Sequence, residues 1–255
     1  GRPGWALISQ VEHARLSGEM ATAWGSPACP KLEYRREMLP AIFHHDDGWA
    51  EWERHPGVDP ASGRPLNFTE MRLDESLAIW QRSISLAAGD GPLAGYVVSG
   101  HFSALLRHQN AWQKMGSAHH DQARSFLDEQ DRRRTDWLAQ WQSHSPASRT
   151  AAAAEKGLHW LQFFDALSLW LCMARRDQPH AMPIPGGGEL RLTPVASNPA
   201  KGERIGLAPW PFSRPELPLG LSGRCLPVGH YRTSAELVDA PSATIMLNWL
   251  LMPAP

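Results

Sequence analysis

The spacing of apolar residues changes once along the chain, near residue 176. Before that point apolar residues recur every three or four positions over long stretches, which predicts amphipathic helices. After it, short alternating runs lie between prolines and glycines, which predicts strands. The sequence therefore predicts a mainly α protein. A helical body over residues 1–176 would carry a Pro/Gly-rich extension over residues 177–255, packed on it as a small antiparallel β part.

The individual elements are predicted from the same pattern. The run "SQVE" has the form of a capping box, so the first helix is predicted to begin at Ser9. Pro40 predicts a kink or restart in the second helix. Helices are predicted at residues 9–24, 30–46, 74–88, 93–108, 118–143 and 147–175. Strands are predicted in the runs "ELRLTPV", "RIGLAPWPF", "LPLGLSGRCLPV" and "TIMLNWLLMP".

Composition narrows the classes of partner. The 255 residues include 25 Lys and Arg against 26 Asp and Glu, and this net charge of −1 gives no electrostatic reason to expect nucleic acid or an anionic membrane surface. No apolar run approaches the roughly 18 to 20 residues of a membrane span. The three cysteines form no CxxC pair, and residues 1–10 lack the layout of a signal peptide. These features predict a cytoplasmic protein and leave its oligomeric state open.

Several polar side chains fall where the helical pattern requires apolar ones. An unpaired buried carboxylate costs several kcal/mol, so Asp165, within "HWLQFFDALSLWLC", requires a cation, a proton or several hydrogen-bond donors. His13 lies in the first helix, His45 and Asp46 end the second, and His101 follows the apolar run "GYVVSG". His and Asp are ligands for Zn, Fe and Mn. These five residues, from four helices, predict a divalent metal site inside the helical body.

Each of these residues also has an explanation without a metal. A core histidine can be satisfied by hydrogen bonds, and His45 with Asp46 can form a solvated helix end. Asp165 can pair with an arginine such as Arg15 or Arg175. Taken together, the five residues favour a metal.

Neighbouring residues are candidates for supporting the site or lining a substrate pocket. Asp47 is expected either to orient an imidazole or to be exposed, and His44 to be a neighbour rather than a ligand. Trp49 and Trp52 either wall a pocket or pack in the core. The 12 tryptophans of the chain predict that the core or a pocket is heavily aromatic. Asn67 lies in a loop that could reach the same cleft.

The order of the candidate ligands resembles the signature of the HD-domain superfamily. That signature has an isolated His, a His-Asp pair that closes a helix, and a final Asp on a late apolar helix; "HDDG" and "FFDALSL" match its last two parts. The resemblance implies a helical bundle with one metal on four residues: His13, His45, Asp46 and Asp165. In two-metal members the paired aspartate bridges the ions and middle helices add histidines. His101 matches one such position, and His119 or His120 could supply another.

A second resemblance extends over nearly the whole chain. Six motifs are similar to an uncharacterised bacterial family, the domain of unknown function 3891: "HARLSG", "HHDDGW", "RPLNF", "SGHFSALL", "FFDALSL" and "APWPF". This resemblance implies no particular activity.

Three functions are compatible with the predicted site. The first is a metal-dependent hydrolase of a phosphoester or nucleotide-like small molecule. In it Asp46 and the other ligands hold one or two ions of Fe, Mn or Zn that activate water, and His101 binds a second ion or protonates the leaving group. Arg15 is the nearest candidate by sequence for binding the phosphate. The second is an HD-type non-haem di-iron oxygenase, and the third is a non-catalytic helical module that binds a small ligand.

Overall fold

The computed structural model describes residues 4–108, 116–145, 147–173, 178–195 and 202–254. Helices make up 53% of the structure and strands 20%. The α-helices in the described residues are α1 (Gln10–Ala23), α2 (Arg35–Phe43), α3 (Leu73–Asp90), α4 (Pro92–His108), α5 (Ser117–Ser143), α6 (Ala151–Met173) and α7 (Ser234–Asp239). The strands are β1 (Gly4–Leu7), β2 (His180–Pro183), β3 (Glu189–Val195), β4 (Glu203–Ala208), β5 (Leu217–Pro227) and β6 (Ala243–Pro253). Short 3-10 helices lie at Asp47–Trp49, Trp52–Arg54 and Phe68–Glu70.

Helix α1 carries polar groups on its buried face. It begins after Ser9, whose Oγ accepts a hydrogen bond from the Glu12 N–H at 3.0 Å, as the capping motif predicts. His13 and Ser17, four residues apart, lie on the same side of the helix as Leu16, and all three are buried. Because α1 packs against α2, α6 and β5, this polar stripe lies inside the protein.

Helix α6 is the most apolar of the described helices and packs against α1 and α4. Trp24, which follows α1, is surrounded by four aromatic rings at centroid separations of 5.3 to 5.9 Å: Trp160, Phe163, Phe164 and Phe212. Edge-to-face packing of this kind fixes the position of α6 relative to α1.

The strands form one six-stranded mixed sheet in the order β1-β5-β6-β4-β3-β2. β4 runs parallel to β6, and the other neighbouring strands are antiparallel. In β5 the buried residues Leu217, Leu219 and Leu221 alternate with more exposed ones, the pattern of a strand with one face in the core.

The predicted fold class, a mainly α HD-domain-like bundle with a small antiparallel β part, is wrong. The protein is an α/β fold, because a mixed six-stranded sheet accompanies the helices and begins with strand β1 at the N-terminal end. Four residues, "GWAL", are too short to show a period of two, and alternation alone cannot reveal that β4 pairs in parallel with β6. The division of the chain at residues 176 and 177 stays a prediction.

Most of the long helices agree with the sequence pattern. α3, α4 and α5 begin and end within two residues of the predicted bounds. α6 begins four residues later than predicted, at Ala151. None of the helices in the described part of the chain combines the length and apolarity needed to cross a membrane.

Helix α2 is shorter than predicted, and this changes the position of the His-Asp pair. It begins after Tyr34, which has a φ of 49°, and ends at Phe43. His45 and Asp46 therefore do not close a helix; they lie in the turn between α2 and the 3-10 helix Asp47–Trp49. In this turn, two consecutive side chains can point into the protein together.

Gly48 holds this turn against α3. Its N–H donates to Ser83 Oγ at 3.0 Å, and its carbonyl accepts from Arg82 Nε at 3.3 Å. A Cβ added at Gly48 would lie 2.5 Å from the backbone nitrogen of Ser83 and would clash with the carbonyl of Ile79. Only glycine permits this close approach of two backbones.

Substitution of Gly48 is expected to destabilise the protein, and substitution of Gly89 is not. Gly48→Ala forces a methyl group into the backbone of α3, so we expect a loss of about 1–3 kcal/mol in the free energy of unfolding. Gly89 is exposed in α3 with no atom within 4 Å of an added Cβ, and Gly89→Ala should stabilise by up to about 1 kcal/mol. Urea unfolding of both variants measures the difference; equal values would show that the turn does not depend on this approach.

Candidate metal centre

Four side chains from α1, the turn after α2, and α6 lie together: His13, His45, Asp46 and Asp165. One ligand atom of each lies within 4.8 Å of those of the other three. Asp165 Oδ1 is 2.9 Å from His13 Nε2 and 3.3 Å from His45 Nε2. Asp46 Oδ2 is 3.5 Å from His45 Nε2 and 4.0 Å from His13 Nε2. These are the four residues for which the sequence predicts a shared metal; metal binding itself stays a prediction.

The cluster is almost closed to solvent. The side chain of His45 is 0% exposed, that of His13 2%, that of Asp46 7% and that of Asp165 13%. Within the described residues, histidines are the only basic groups within 4.0 Å of the two carboxylates. With neutral imidazoles the cluster has a charge of −2, which a divalent cation would compensate.

Arg15 does not pair with Asp165. Its guanidinium donates to Glu12 Oε2 at 3.0 Å and to the carbonyl of Gly220 at 2.8 Å, and it also pairs with Glu19. Arg175, the other arginine considered for this role, lies outside the described residues.

The far nitrogen of each imidazole has its own hydrogen-bond partner. His45 Nδ1 is 2.9 Å from the carbonyl of Ile42, which can only accept, so Nδ1 carries a hydrogen and Nε2 is the atom that faces the carboxylates. His13 Nδ1 is 2.6 Å from Ser168 Oγ, which in turn donates to the carbonyl of Asp165 at 3.0 Å. Such outer hydrogen bonds set the tautomer and orientation of metal-binding histidines.

The donor set fits a divalent ion. Ligand atoms at about 2.1 Å from a tetrahedral ion are separated by about 3.4 Å. The four separations between an imidazole nitrogen and a carboxylate oxygen, 2.9, 3.3, 3.5 and 4.0 Å, lie around that value. Two imidazole nitrogens and two carboxylate oxygens suit Zn, Fe or Mn, and the set does not distinguish among them.

The charges and burial of the cluster shift the pKa values of its members. Although burial opposes the charged form, the carboxylates of Asp46 and Asp165 raise the pKa of His45 from its ordinary 6.5 to about 9. Burial raises the pKa of Asp46. Although burial opposes it, hydrogen bonds from His13 and His45 hold the pKa of Asp165 well below its usual range. In the metal-free protein a proton on His45 therefore compensates part of the negative charge.

Metal affinity is expected to rise with pH, because an ion must displace the proton of His45. That proton stabilises the metal-free fold fully below pH 6.5, and the contribution is lost as the pH rises through about 9. Within this range, lowering the pH by one unit should weaken the apparent affinity for Zn²⁺ about tenfold for each proton that the ion displaces. Competition titrations from pH 6.5 to 9 measure this slope. A flat profile would mean that His45 is already neutral.

His101 lies beside the cluster but is not one of its four members. Its ring is buried on α4, with its centroid 5.6 Å from that of His45, and its Nδ1 has no hydrogen-bond partner among the described residues. Burial lowers the pKa of His101 to about 4, so the ring is neutral. His119 and His120, in the first turn of α5, are likewise outside the cluster. The predicted roles of these histidines stay predictions.

The four supporting candidates lie in different places. Asp47 accepts a hydrogen bond from Nδ1 of the exposed His44 at 2.9 Å, so it orients an imidazole outside the cluster. Trp49 is buried and donates to Asp46. Asn67 caps the 3-10 helix that follows it and lines the cavity described next. Arg15 is not among the residues that line this cavity.

A cavity of about 590 Å³ reaches the cluster at His13. This volume lies within the range of small-molecule sites. Its aromatic lining comes from Trp5 on β1, Trp49 and Trp52 after the His-Asp turn, and Phe68. The cavity lies where α1 begins, between the loop of residues 56–68 and strands β5 and β6.

Sequence reasoning missed two kinds of residue in the site. Ser17 and Ser168 form a buried chain with His13, since Ser17 Oγ is 2.7 Å from Ser168 Oγ. Their spacing, four residues after His13 and three after Asp165, placed them on the ligand side of each helix and could have indicated them. Glu53 also lines the cavity, and nothing in the sequence separates it from the exposed Glu51.

Comparison with known families gives one match. The profile of a family described as a protein of unknown function, DUF3891, matches residues 2–228. The chain belongs to the DUF3891 family. The matched range includes the four cluster residues and Glu53, and it ends before β6. Neither the curated proteins nor the solved structures gave a match.

Loss of the serine behind His13 is expected to weaken metal binding. Ser168→Ala removes the partner of His13 Nδ1, and losses of such outer hydrogen bonds reduce affinity about 10- to 100-fold. Ser103→Ala is the matched control, because Ser103 is equally buried and its Oγ has no partner among the described residues. Zn²⁺ competition titrations compare the two variants. Equal affinities would show that Ser168 does not orient a ligand.

Proposed function

We propose that this protein is a metal-dependent hydrolase acting on a phosphoester or nucleotide-like small molecule. The observation that carries the proposal is the cluster itself: two imidazoles and two carboxylates converge beside a cavity of about 590 Å³, which reaches them at His13. A divalent ion bound there supplies Lewis-acid activation of water and polarisation of a phosphoryl oxygen. The order His, His-Asp, Asp along the chain, which resembles that of HD-domain hydrolases, supports the same class of reaction.

The four ligands have different accessibility, and this suggests separate tasks. His45 is fully enclosed, and the Ile42 carbonyl fixes its tautomer, so its task is to hold the ion. Asp165 is the most exposed of the four, at 13% of its side chain. A water entering the cluster can therefore donate a hydrogen bond to the Asp165 carboxylate, which would orient its oxygen for attack.

The charges around the cavity favour a substrate with one anionic group. Arg64 lines the cavity, but its charge is compensated by Glu70 at 2.5 Å and by Asp59 at 3.8 Å. Arg224 also lines it and has no carboxylate within 4.0 Å among the described residues. One uncompensated arginine and four aromatic rings suit a monoester of an apolar or aromatic alcohol better than a polyphosphate.

The described part of the chain contains one set of four candidate ligands, and this favours hydrolysis over the oxygenase hypothesis. An oxygenase of the type considered holds two irons, whereas the four residues that converge provide one ion with a tetrahedral set. The third hypothesis, a non-catalytic module, is an outcome of the experiment below.

Asp46→Ala should abolish metal binding and hydrolysis, and its neighbour Asp47 provides the matched control. Loss of Asp46 removes a ligand and half of the negative charge, whereas the side chain of Asp47 bonds only to the exposed His44 among the described residues. We expect about one divalent ion per wild-type chain. The ion and the release of phosphate from 4-nitrophenyl phosphate should be retained in Asp47→Ala and lost in Asp46→Ala.

Elemental analysis and a phosphate assay measure both properties. Wild-type protein that binds no Zn²⁺, Mn²⁺ or Fe²⁺ would favour the non-catalytic module. Two irons per chain without ester hydrolysis would favour the oxygenase.

A further inference from the structure

A carboxyl group outside the four-residue cluster shares its cavity. Glu53 belongs to the 3-10 helix Trp52–Arg54, and both Glu53 and His13 line the cavity. Its Oε1 accepts a hydrogen bond from the N–H of Gln10, the first residue of α1. One carboxyl oxygen is thus anchored by the backbone, and no lysine or arginine lies within 4.0 Å of the group among the described residues.

Capping of α1 does not account for the environment of Glu53. A carboxylate at the N-terminus of a helix is stabilised as an anion and has a lowered pKa. Burial, together with the charge of Asp46, instead raises the pKa of Glu53 to about 7, even though the Gln10 N–H opposes this. The nearby Glu51, 66% exposed, faces Arg82 at 3.7 Å and lines no part of the cavity. A cap alone would not require a carboxyl that is half-buried in the cavity wall.

The other charged groups of the cavity have partners elsewhere. Glu12 is paired with Arg15 at 3.0 Å, and Arg64 is paired with Glu70. Arg224 donates to the carbonyl of Val238 at 3.1 Å. Glu53 is therefore the cavity residue whose carboxyl can both carry a proton near neutral pH and release it to a bound molecule.

We propose that Glu53 is the proton donor to the leaving oxygen of the substrate. This rests on the proposed hydrolase function. The oxygen of water forms a bond to phosphorus, and the bond between phosphorus and the alcohol oxygen breaks with its electron pair on that oxygen. The alcohol oxygen takes the Glu53 proton, and the proton released by the water returns to the Glu53 carboxylate through solvent. The balance is water plus monoester giving alcohol plus phosphate.

The leaving group provides the test, because a general acid matters most when the leaving oxygen is basic. Phenol is a much weaker acid than 4-nitrophenol, so phenyl phosphate depends more on protonation than 4-nitrophenyl phosphate. Glu53→Gln keeps the size of the side chain and an acceptor for the Gln10 N–H. We expect kcat for phenyl phosphate to fall about 100-fold or more, and kcat for 4-nitrophenyl phosphate to fall about tenfold or less.

Two controls, together with the wild-type rates, separate this role from the proposed function. Glu53→Gln should keep the wild-type metal content, and Glu51→Gln should leave both rates unchanged. Equal losses on the two esters, with the metal retained, would overturn the role of Glu53 alone. Wild-type protein that hydrolyses neither ester would overturn the hydrolase proposal and the role of Glu53 with it.

A measurement on the metal-free protein tests Glu53 without any reaction. A carboxyl with a raised pKa stabilises the fold at low pH, and the contribution is lost as the pH rises through about 7. The melting temperature of Glu53→Gln should therefore rise relative to wild type between pH 5 and pH 8. A difference that does not change with pH would show that Glu53 is ionised throughout, and a permanently ionised group cannot donate the proton.

Discussion

The contact between Asp165 Oδ1 and two imidazole nitrogens, at 2.9 and 3.3 Å, is the interaction on which the rest of the structure depends. The residues of α6 that pack around Asp165 are mainly apolar and buried, and a lone carboxylate among them would be strongly destabilising. The helix can keep its buried position only because α1 supplies His13 and the turn after α2 supplies His45. The hydrogen bonds of Asp165 with His13 and His45 therefore hold these three segments together and also bring the candidate metal ligands together.

The supports of the cluster are of two kinds. His45 is oriented by a backbone carbonyl and lies in a turn that Gly48 holds against α3, so its position depends on the fold itself. His13 is oriented by the side chain of Ser168, and Asp46 accepts from the indole of Trp49. The first kind cannot be changed without moving the chain, whereas the second can be altered by single substitutions. The cavity reaches the cluster at His13, the ligand whose orientation depends on Ser168.

The sequence predicts helices α1 to α6 and four of the strands because their period extends over enough residues to be recognised, whereas the short helix α7 is not predicted. It also indicates His13, His45, Asp46 and Asp165, because each is a costly residue in an apolar context. The sheet topology, the bounds of α2 and the position of Glu53 at the cavity are not predictable in this way. β1 is too short, the start of α2 depends on Tyr34 in a left-handed conformation, and Glu53 differs from Glu51 only in its tertiary surroundings.

Strand β1 makes the assembly of the cavity dependent on the order of synthesis. Among the strands that the structure describes it pairs only with β5, in the register Gly4 to Pro227 and Leu7 to Arg224, and its residues form a wall of the cavity. Strand β1 is synthesised before its partner, which lies more than 200 positions later, and contacts at such separation slow folding. A nascent chain that ends before β5 could bury α1 against α6 yet would have an incomplete cavity. Binding of a ligand in the cavity would then show that the chain has been synthesised through β5, and not only that its helices have packed.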